Sequence, residues 1–317
     1  MKLLFAFFRL IRWPNLVFIA LTQMLFYYCI ILPSLPKTTE LLTHQLTQPI
    51  FYLLMLASIF IAAAGYIIND YFDINIDQIN KPQKMVVEKI INRRWAILLH
   101  WLITTVGLTI SLYVSFKTSF IVILANILCT LLLWFYSTTF KKKLLSGNII
   151  ISLLTAWTVM VLYFAVNNLQ SLSPNTVPGI FTAMNRIFKF AVLYAGFAFI
   201  ISLVREVVKD IEDREGDARY DSKTMPIVWG VPSSKVFVGV WLVVLIGALF
   251  IIDWYAFQLG WWLTTVYGLI MVVAPLAYIL RKLYTAQHTP EYHKISSLIK
   301  LVMLSGILSM LFFRLYV

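Results

Sequence analysis

Long apolar runs alternate with short polar joints along almost the whole chain. Nine of these runs reach the length needed to cross about 30 Å of hydrocarbon, which takes roughly 20 helical residues. They are 14–33, 50–70, 95–115, 119–139, 147–166, 187–208, 236–253, 260–280 and 296–316. The pattern predicts an all-α, polytopic membrane protein of nine transmembrane helices. A lysine-rich turn joins 119–139 tightly to 147–166. Pro33 and Pro36, then Pro174 and Pro178, mark loops on the opposite side.

Composition agrees. The 317 residues are 61% hydrophobic and only 13% charged, whereas soluble domains are nearer half apolar and a quarter charged. Met1 to Trp13 is basic and leads into an apolar stretch without a small-residue cleavage site, which reads as a retained first helix and not a signal peptide. Cys29 and Cys129 both fall inside apolar runs and read as buried thiols, not as a disulfide or a metal site.

A net charge of +12 would suit a nucleic-acid partner, but the positions of the charges argue otherwise. With the N-terminus placed in the cytoplasm, only Lys37, Lys117, Arg186, Lys189 and Arg314 of the 26 lysines and arginines fall outside. That asymmetry is the positive-inside signal. It explains most of the charge without nucleic acid and places the C-terminus on the opposite side. The expected location is a bacterial or archaeal plasma membrane.

Two aspartate triplets then stand out: Asp70, Asp73, Asp77 and Asp210, Asp213, Asp217. In each the spacing is i, i+3, i+7, which on a helix of 3.6 residues per turn places three carboxylates on one face. Each triplet closes an apolar run at its cytoplasmic end. Acids so placed are costly unless cations bind them, and carboxylates are the hard oxygen ligands that Mg²⁺ shares with water and phosphate oxygens. Metal at a membrane points to a phosphorylated lipid substrate. The chain reads as a single integral-membrane domain, residues 1–317, with a parallel pseudo-repeat whose motifs lie at 69–84 and 205–226.

Around the first triplet, Asn69 adds a neutral amide that orients phosphate or ligates metal, and Lys81 and Lys84 meet the remaining charge of a pyrophosphate. Before the second, Arg205 and Lys209 lie four residues apart, placed to bind phosphate, to neutralise the acids, or both. Gly216 is expected to fray the helix before Asp217. A third segment, Tyr136-Ser137-Thr138-Thr139-Phe140-Lys141-Lys142-Lys143 with Gly147-Asn148 after it, suits a diphosphate or simply fixes topology. His44, His100, His288 and His293 lack ligand spacing.

Taken together, Asn69-Asp70-x-x-Asp73-x-x-x-Asp77 and Asp210-x-x-Asp213-x-x-x-Asp217 resemble the UbiA superfamily of intramembrane prenyltransferases. The similarity extends to Asn80-Lys81-Pro82, to Tyr136-Ser137 with Lys141, and to the run from Lys209 to Pro226. The resemblance implies a helical bundle around a central cavity with a cytoplasmic cap. It implies Mg²⁺ bridging the motifs to a polyprenyl diphosphate, with Asn69, Asp70 and Asp73 holding one ion and Asp210 and Asp213 the other. Lys81, Lys84, Tyr136, Lys141, Arg205, Lys209 and Lys223 would contact the diphosphate. Asp77 and Asp217 are the candidate catalytic bases. Lys81 and Lys84 stand where many members carry arginine, replacing planar forks with point charges.

The Arg205-Glu206-x-x-Lys209-Asp210-x-Glu212-Asp213 stretch looks most similar to the ether-lipid branch, the geranylgeranylglycerol-phosphate geranylgeranyltransferases. That implies transfer of a geranylgeranyl group to the hydroxyl of a glycerol phosphate lipid, within a membrane. Transfer to an aromatic quinone precursor or to haem uses the same mechanism. A transporter with an internal repeat and a non-catalytic lipid-binding protein are the alternatives from other classes.

Overall fold

The computed structural model describes residues 2–36, 47–80, 85–167 and 179–316. Among these the secondary structure is helical apart from one isolated bridge between Val87 and Ile91. In chain order the helices are α1 Lys2–Leu10, α2 Trp13–Phe26, α3 Gln48–Phe72, α4 Ile74–Asn80, α5 Arg93–Lys117, α6 Phe120–Thr138 and α7 Ser146–Val166. They continue with α8 Ile180–Arg219, α9 Met225–Val228, α10 Gly230–Gln258, α11 Trp262–Gly268, α12 Ala274–Thr285, α13 Thr289–Leu308 and α14 Met310–Phe313.

Among the described residues, nine helical stretches are long and apolar enough to cross a membrane, and they overlie the nine apolar runs. Two contain a π-helical turn, Tyr27–Ile31 and Leu269–Val273. Each lies just before a proline, Pro33 or Pro275, whose missing N–H leaves a carbonyl one turn back without its helical donor. A π turn absorbs that defect without ending the helix.

Two boundaries differ from expectation. The first motif does not lie on one unbroken helix: α3 ends at Phe72, Asp73 caps it with φ −87 and ψ −1, and α4 starts afresh at Ile74. Asp77 N–H still donates to the Asp73 carbonyl at 2.8 Å, so the turn is nearly kept. The second motif is more helical than expected, because α8 runs through Gly216 to Arg219. Gly216 and Asp217 are both buried, and packing offsets the roughly 1 kcal/mol that glycine costs a helix. At 40 residues, α8 is about 60 Å long, twice the hydrocarbon thickness, so its polar end stands clear of the apolar layer.

The chain forms two compact units. The first comprises Met1–Tyr27, Ser34–Phe140 and Trp157–Val192. Its helices approach closely at small residues: a Cβ added to Gly107 would lie 3.2 Å from Phe60 Cβ, and one added to Gly65 would lie 2.8 Å from Leu133 Cδ2. Without a hydrophobic drive between helices in lipid, such close packing and buried polar links hold them together. Asn126 donates to Ser111 Oγ at 2.9 Å and accepts from Trp157 Nε1 at 3.1 Å. Gln23 donates to Ser58 Oγ and to the Thr158 carbonyl. A small core of Leu10, Ile11, Leu16, Ile67, Ile74, Val86 and Val87 buttresses the first motif.

The second unit comprises Tyr28–Pro33, Lys141–Ala156 and Leu193–Val317. Its core joins Val204, Val207, Val208 and Ile211 of α8 to Leu242 of α10, Leu276 and Ile279 of α12, and Ile295, Ile299 and Val302 of α13. Tyr194 and Ser309 hydroxyls meet at 2.8 Å, and Tyr267 Oη donates to the Ser305 carbonyl at 2.9 Å. Both cysteines are buried and free, as expected. Large apolar side chains such as Phe116, Phe120, Ile251 and Trp254 are exposed, which is how a lipid-facing surface is built.

Candidate functional site

Within the first unit, the end of α3 carries Asn69 and Asp70, and the α3–α4 joint carries Asp73. Asn69 and Asp73 are buried. The Asn69 amide donates to Asp73 Oδ2 at 2.7 Å, while its own carbonyl oxygen is buried with no hydrogen-bond partner among the described residues. Arg12 donates to Asp70 Oδ1 at 2.7 Å. Its backbone is left-handed, φ 50, at the α1–α2 corner, and its guanidinium lies 5.1 Å from the Tyr66 ring centre. Burial works against the Arg12 charge, but the Asp70 carboxylate more than compensates, and the pKa is raised. Asp77 is half-buried on α4. Tyr136 is half-buried near the end of α6, and Ser137 is buried with its hydroxyl donating to the Leu133 carbonyl. Lys81 and Lys84 lie outside the described residues.

Within the second unit, Asp210 and Asp213 are half-buried and Asp217 is buried. The second motif has no asparagine one residue ahead of its first aspartate; Lys209 stands there. The amide comes instead from α7: buried Asn148 donates to Asp210 Oδ2 at 2.8 Å. The Asp217 carbonyl accepts the N–H groups of Tyr220 and Ser222, each at 3.2 Å, and so folds the chain back beyond α8. Lys223 N–H then donates to the Lys142 carbonyl at 2.7 Å, which brings the lysine-rich turn containing Lys141 against the exposed Lys223. Arg205 and Lys209 both pair with Glu206, at 3.0 and 3.2 Å.

The donor set is one that a hard divalent cation takes: carboxylates plus an amide carbonyl. Two observations fit that group. Asn69 Oδ1 is a buried acceptor without a donor, and a guanidinium stands on Asp70 where positive charge is called for. Among the described residues no three His, Cys, Asp or Glu side chains already converge on one point. Mg²⁺ is compatible with so few protein ligands because it keeps several waters and takes phosphate oxygens.

Arg12 and Asn148 are the two residues whose role the sequence did not disclose. Arg12 was hidden among topology-setting cations. Asn148 carried a usable signal, a lone amide in an apolar run beside the lysine-rich turn.

A family model described as the UbiA prenyltransferase family matches residues 41–301. A digeranylgeranylglyceryl phosphate synthase from Methanosphaera stadtmanae is 28% identical over 257 residues, spanning 79% of this chain and 83% of that protein. One from Sulfolobus acidocaldarius is 30% identical over 73% of this chain and 75% of its own length. Another, from Thermococcus gammatolerans, is 35% identical over about half of each chain, 53% and 52%. Among solved structures, that of a digeranylgeranylglyceryl phosphate synthase aligns over 98% of this chain and 99% of its own with a TM-score of 0.61 and 23% identity. That of a UbiA homolog from Archaeoglobus fulgidus bound to GPP and Mg²⁺ aligns over 96% and 99%, with a TM-score of 0.58 and 14% identity. At these identities the solved structures establish the shared fold.

Proposed function

Because the chain belongs to the UbiA prenyltransferase family, an integral-membrane family of prenyl-transferring enzymes, we propose that it moves a geranylgeranyl group from its diphosphate to the hydroxyl of geranylgeranylglycerol phosphate. The observation that carries the chemistry is the matched pair of amide-held carboxylates, Asn69 on Asp73 at 2.7 Å and Asn148 on Asp210 at 2.8 Å. The choice of acceptor is supported by relatives in three archaea that bear the same synthase name.

In this reading Asn69, Asp70 and Asp73 hold one Mg²⁺, and Asp210 and Asp213 hold another. When bound, the metal neutralises charge that develops on the leaving diphosphate. Lys141 and Lys223, brought together by the Lys223–Lys142 backbone bond, supply further positive charge to that leaving group; Lys81, Lys84 and Tyr136 are assigned to the same diphosphate on the sequence motif alone. The bond between the allylic carbon and the diphosphate oxygen breaks, and the acceptor oxygen takes its place on carbon. The acceptor proton goes to a carboxylate, Asp77 or Asp217. Apolar walls keep water from quenching the allylic cation first. The motifs and the N-terminus face the cytoplasm.

The test is an assay of purified protein in detergent with Mg²⁺ and labelled geranylgeranyl diphosphate. Geranylgeranylglycerol phosphate, 4-hydroxybenzoate, dihydroxynaphthoate and haem B are offered in parallel. Product with the glycerol phosphate lipid alone is expected. Product with only an aromatic or haem acceptor would keep the mechanism and overturn the acceptor.

A further inference from the structure

Helix α1 is apolar on two opposite faces, and the first unit covers only one of them. Between Lys2 and Arg9 every side chain is apolar. Ala6 and Leu10, four residues apart and so on one face, are buried in the core that also holds Ile67 of α3, Val86, Val87 and Ala96 of α5. Phe8 is two residues from each, which puts it about 160° round the helix from both. It shares that outer face with Leu4 and Phe5, and the three are 44, 60 and 72% exposed. Rings left in water forfeit the free energy that their burial gives.

The surroundings select lipid as what covers this face. Trp13 opens α2 and Trp95 lies in the first turn of α5, 53 and 62% exposed. Tryptophan collects where hydrocarbon meets headgroups. Leu16 of α2 and Ala96 of α5 belong to the same core as Ala6 and Leu10, so α1 lies at the level of those two rings. Val17, one turn into α2, is also exposed and carries the apolar surface on into the span. Arg9 and Arg94 are exposed at the margin, placed as snorkelling cations are, toward headgroup phosphates. Nine residues, about 13.5 Å of helix, are too few to cross the apolar layer. A short helix with an apolar outer face and cations at its edge lies in the interface plane.

What α1 holds is a corner. Ile11 N–H donates to the Phe7 carbonyl and Arg12 N–H to the Arg9 carbonyl, both at 3.0 Å, and Asn15 N–H donates to the Arg12 carbonyl at 2.8 Å. These bonds clasp Arg12 in the left-handed conformation, φ 50 and ψ 52, which a non-glycine residue keeps only where its surroundings fix it. From that corner Arg12 reaches Asp70 Oδ1 at 2.7 Å.

We propose that α1 is a lipid-seated strut: its outer face lies in the boundary between headgroups and acyl chains of the leaflet at the motif face, and this seat fixes the corner that holds Arg12 on Asp70. The membrane surface thereby helps to set the first aspartate motif.

Two measurements on the full chain test it, in lipid nanodiscs holding one copy each and with Cys29 and Cys129 replaced. A bimane label is placed on Phe8→Cys and, as an aqueous reference, on Ala218→Cys at the exposed polar end of α8. With acyl chains brominated near the headgroup, the label at 8 is expected to be quenched several times more strongly than the label at 218. Equal quenching would overturn the seat, whether water or a second copy covers that face. Hydrogen exchange of amides 9–15 then reads the strut. Phe5→Glu/Phe8→Glu is expected to speed exchange there several-fold and to leave the amides of α5 unchanged. Phe5→Leu/Phe8→Leu, which stays apolar, is expected to exchange as wild type does. Should the glutamate variant not fold, the milder Phe5→Ser/Phe8→Ser takes its place. Wild-type exchange at the corner in the folded polar variant would overturn the strut.

Discussion

Asn148 donates from α7 to Asp210 at 2.8 Å, and Asn69 donates to Asp73 within its own helix end at 2.7 Å. A group that fixes a metal ligand commonly governs affinity by about ten- to a hundredfold. Asn148→Ala is therefore expected to lower Mn²⁺ affinity by that order, read by paramagnetic resonance of free Mn²⁺, which needs no turnover. Unchanged Mn²⁺ binding would remove Asn148 from the site. Arg12 makes a different prediction. Its pair with Asp70 is partly exposed, 37% and 19% for the two side chains, so its loss should cost no more than about 1 kcal/mol. Arg12→Met should melt earlier without metal and gain more from added Mg²⁺ than wild type does; an equal gain would show that Arg12 does not stand in for the cation. The spacing of the aspartates was enough to pick out the carboxylates. It was silent on which donors hold them, because Arg12 is 58 residues from Asp70 and Asn148 is 62 residues from Asp210; Asn148 was marked only by its place beside the lysine-rich turn, and Arg12 by nothing local.

For the helices, apolar length predicts where each one lies but not where it stops. The apolar run of α8 ends at 208 and the helix was expected to fray at Gly216, yet it continues to Arg219. Its polar tail, residues 209–219, carries Lys209, Glu212, Arg214, Glu215, Ala218 and Arg219, good helix formers that outweigh the three aspartates and Gly216 once the apolar part is packed. The break at Asp73 was equally hidden, since no glycine or proline marks it. The short α1 escaped because it lacks the length of a membrane span. Close contact between α3 and α5 is set by Gly107, whose added Cβ would meet Phe60 Cβ at 3.2 Å and the Ile61 backbone nitrogen at 3.5 Å. Neither neighbour is a flexible tip. Gly107→Leu is expected to destabilise the protein by about 1–3 kcal/mol, measured by reversible unfolding in mixed micelles. A wild-type midpoint would mean that the helices part at little cost.

Across the whole molecule, the nine apolar runs and the one-sided lysines and arginines made an all-α membrane protein legible from sequence, and the nine long helices among the described residues agree. The same charges predict the orientation, N-terminus in the cytoplasm and C-terminus opposite. Single cysteines placed near Phe5 and near Leu315 should label from opposite faces in sealed vesicles once Cys29 and Cys129 are replaced; labelling from one face would refute the topology. Both aspartate motifs are proposed to serve one metal-dependent prenyl transfer. The most direct measurement is turnover of labelled geranylgeranyl diphosphate in saturating Mg²⁺ by folded Asp70→Ala and, separately, folded Asp210→Ala. Loss of product by about two orders of magnitude or more in each is predicted, the scale of removing one preorganised electrostatic group from a reaction site. Near wild-type turnover in either variant would contradict the account.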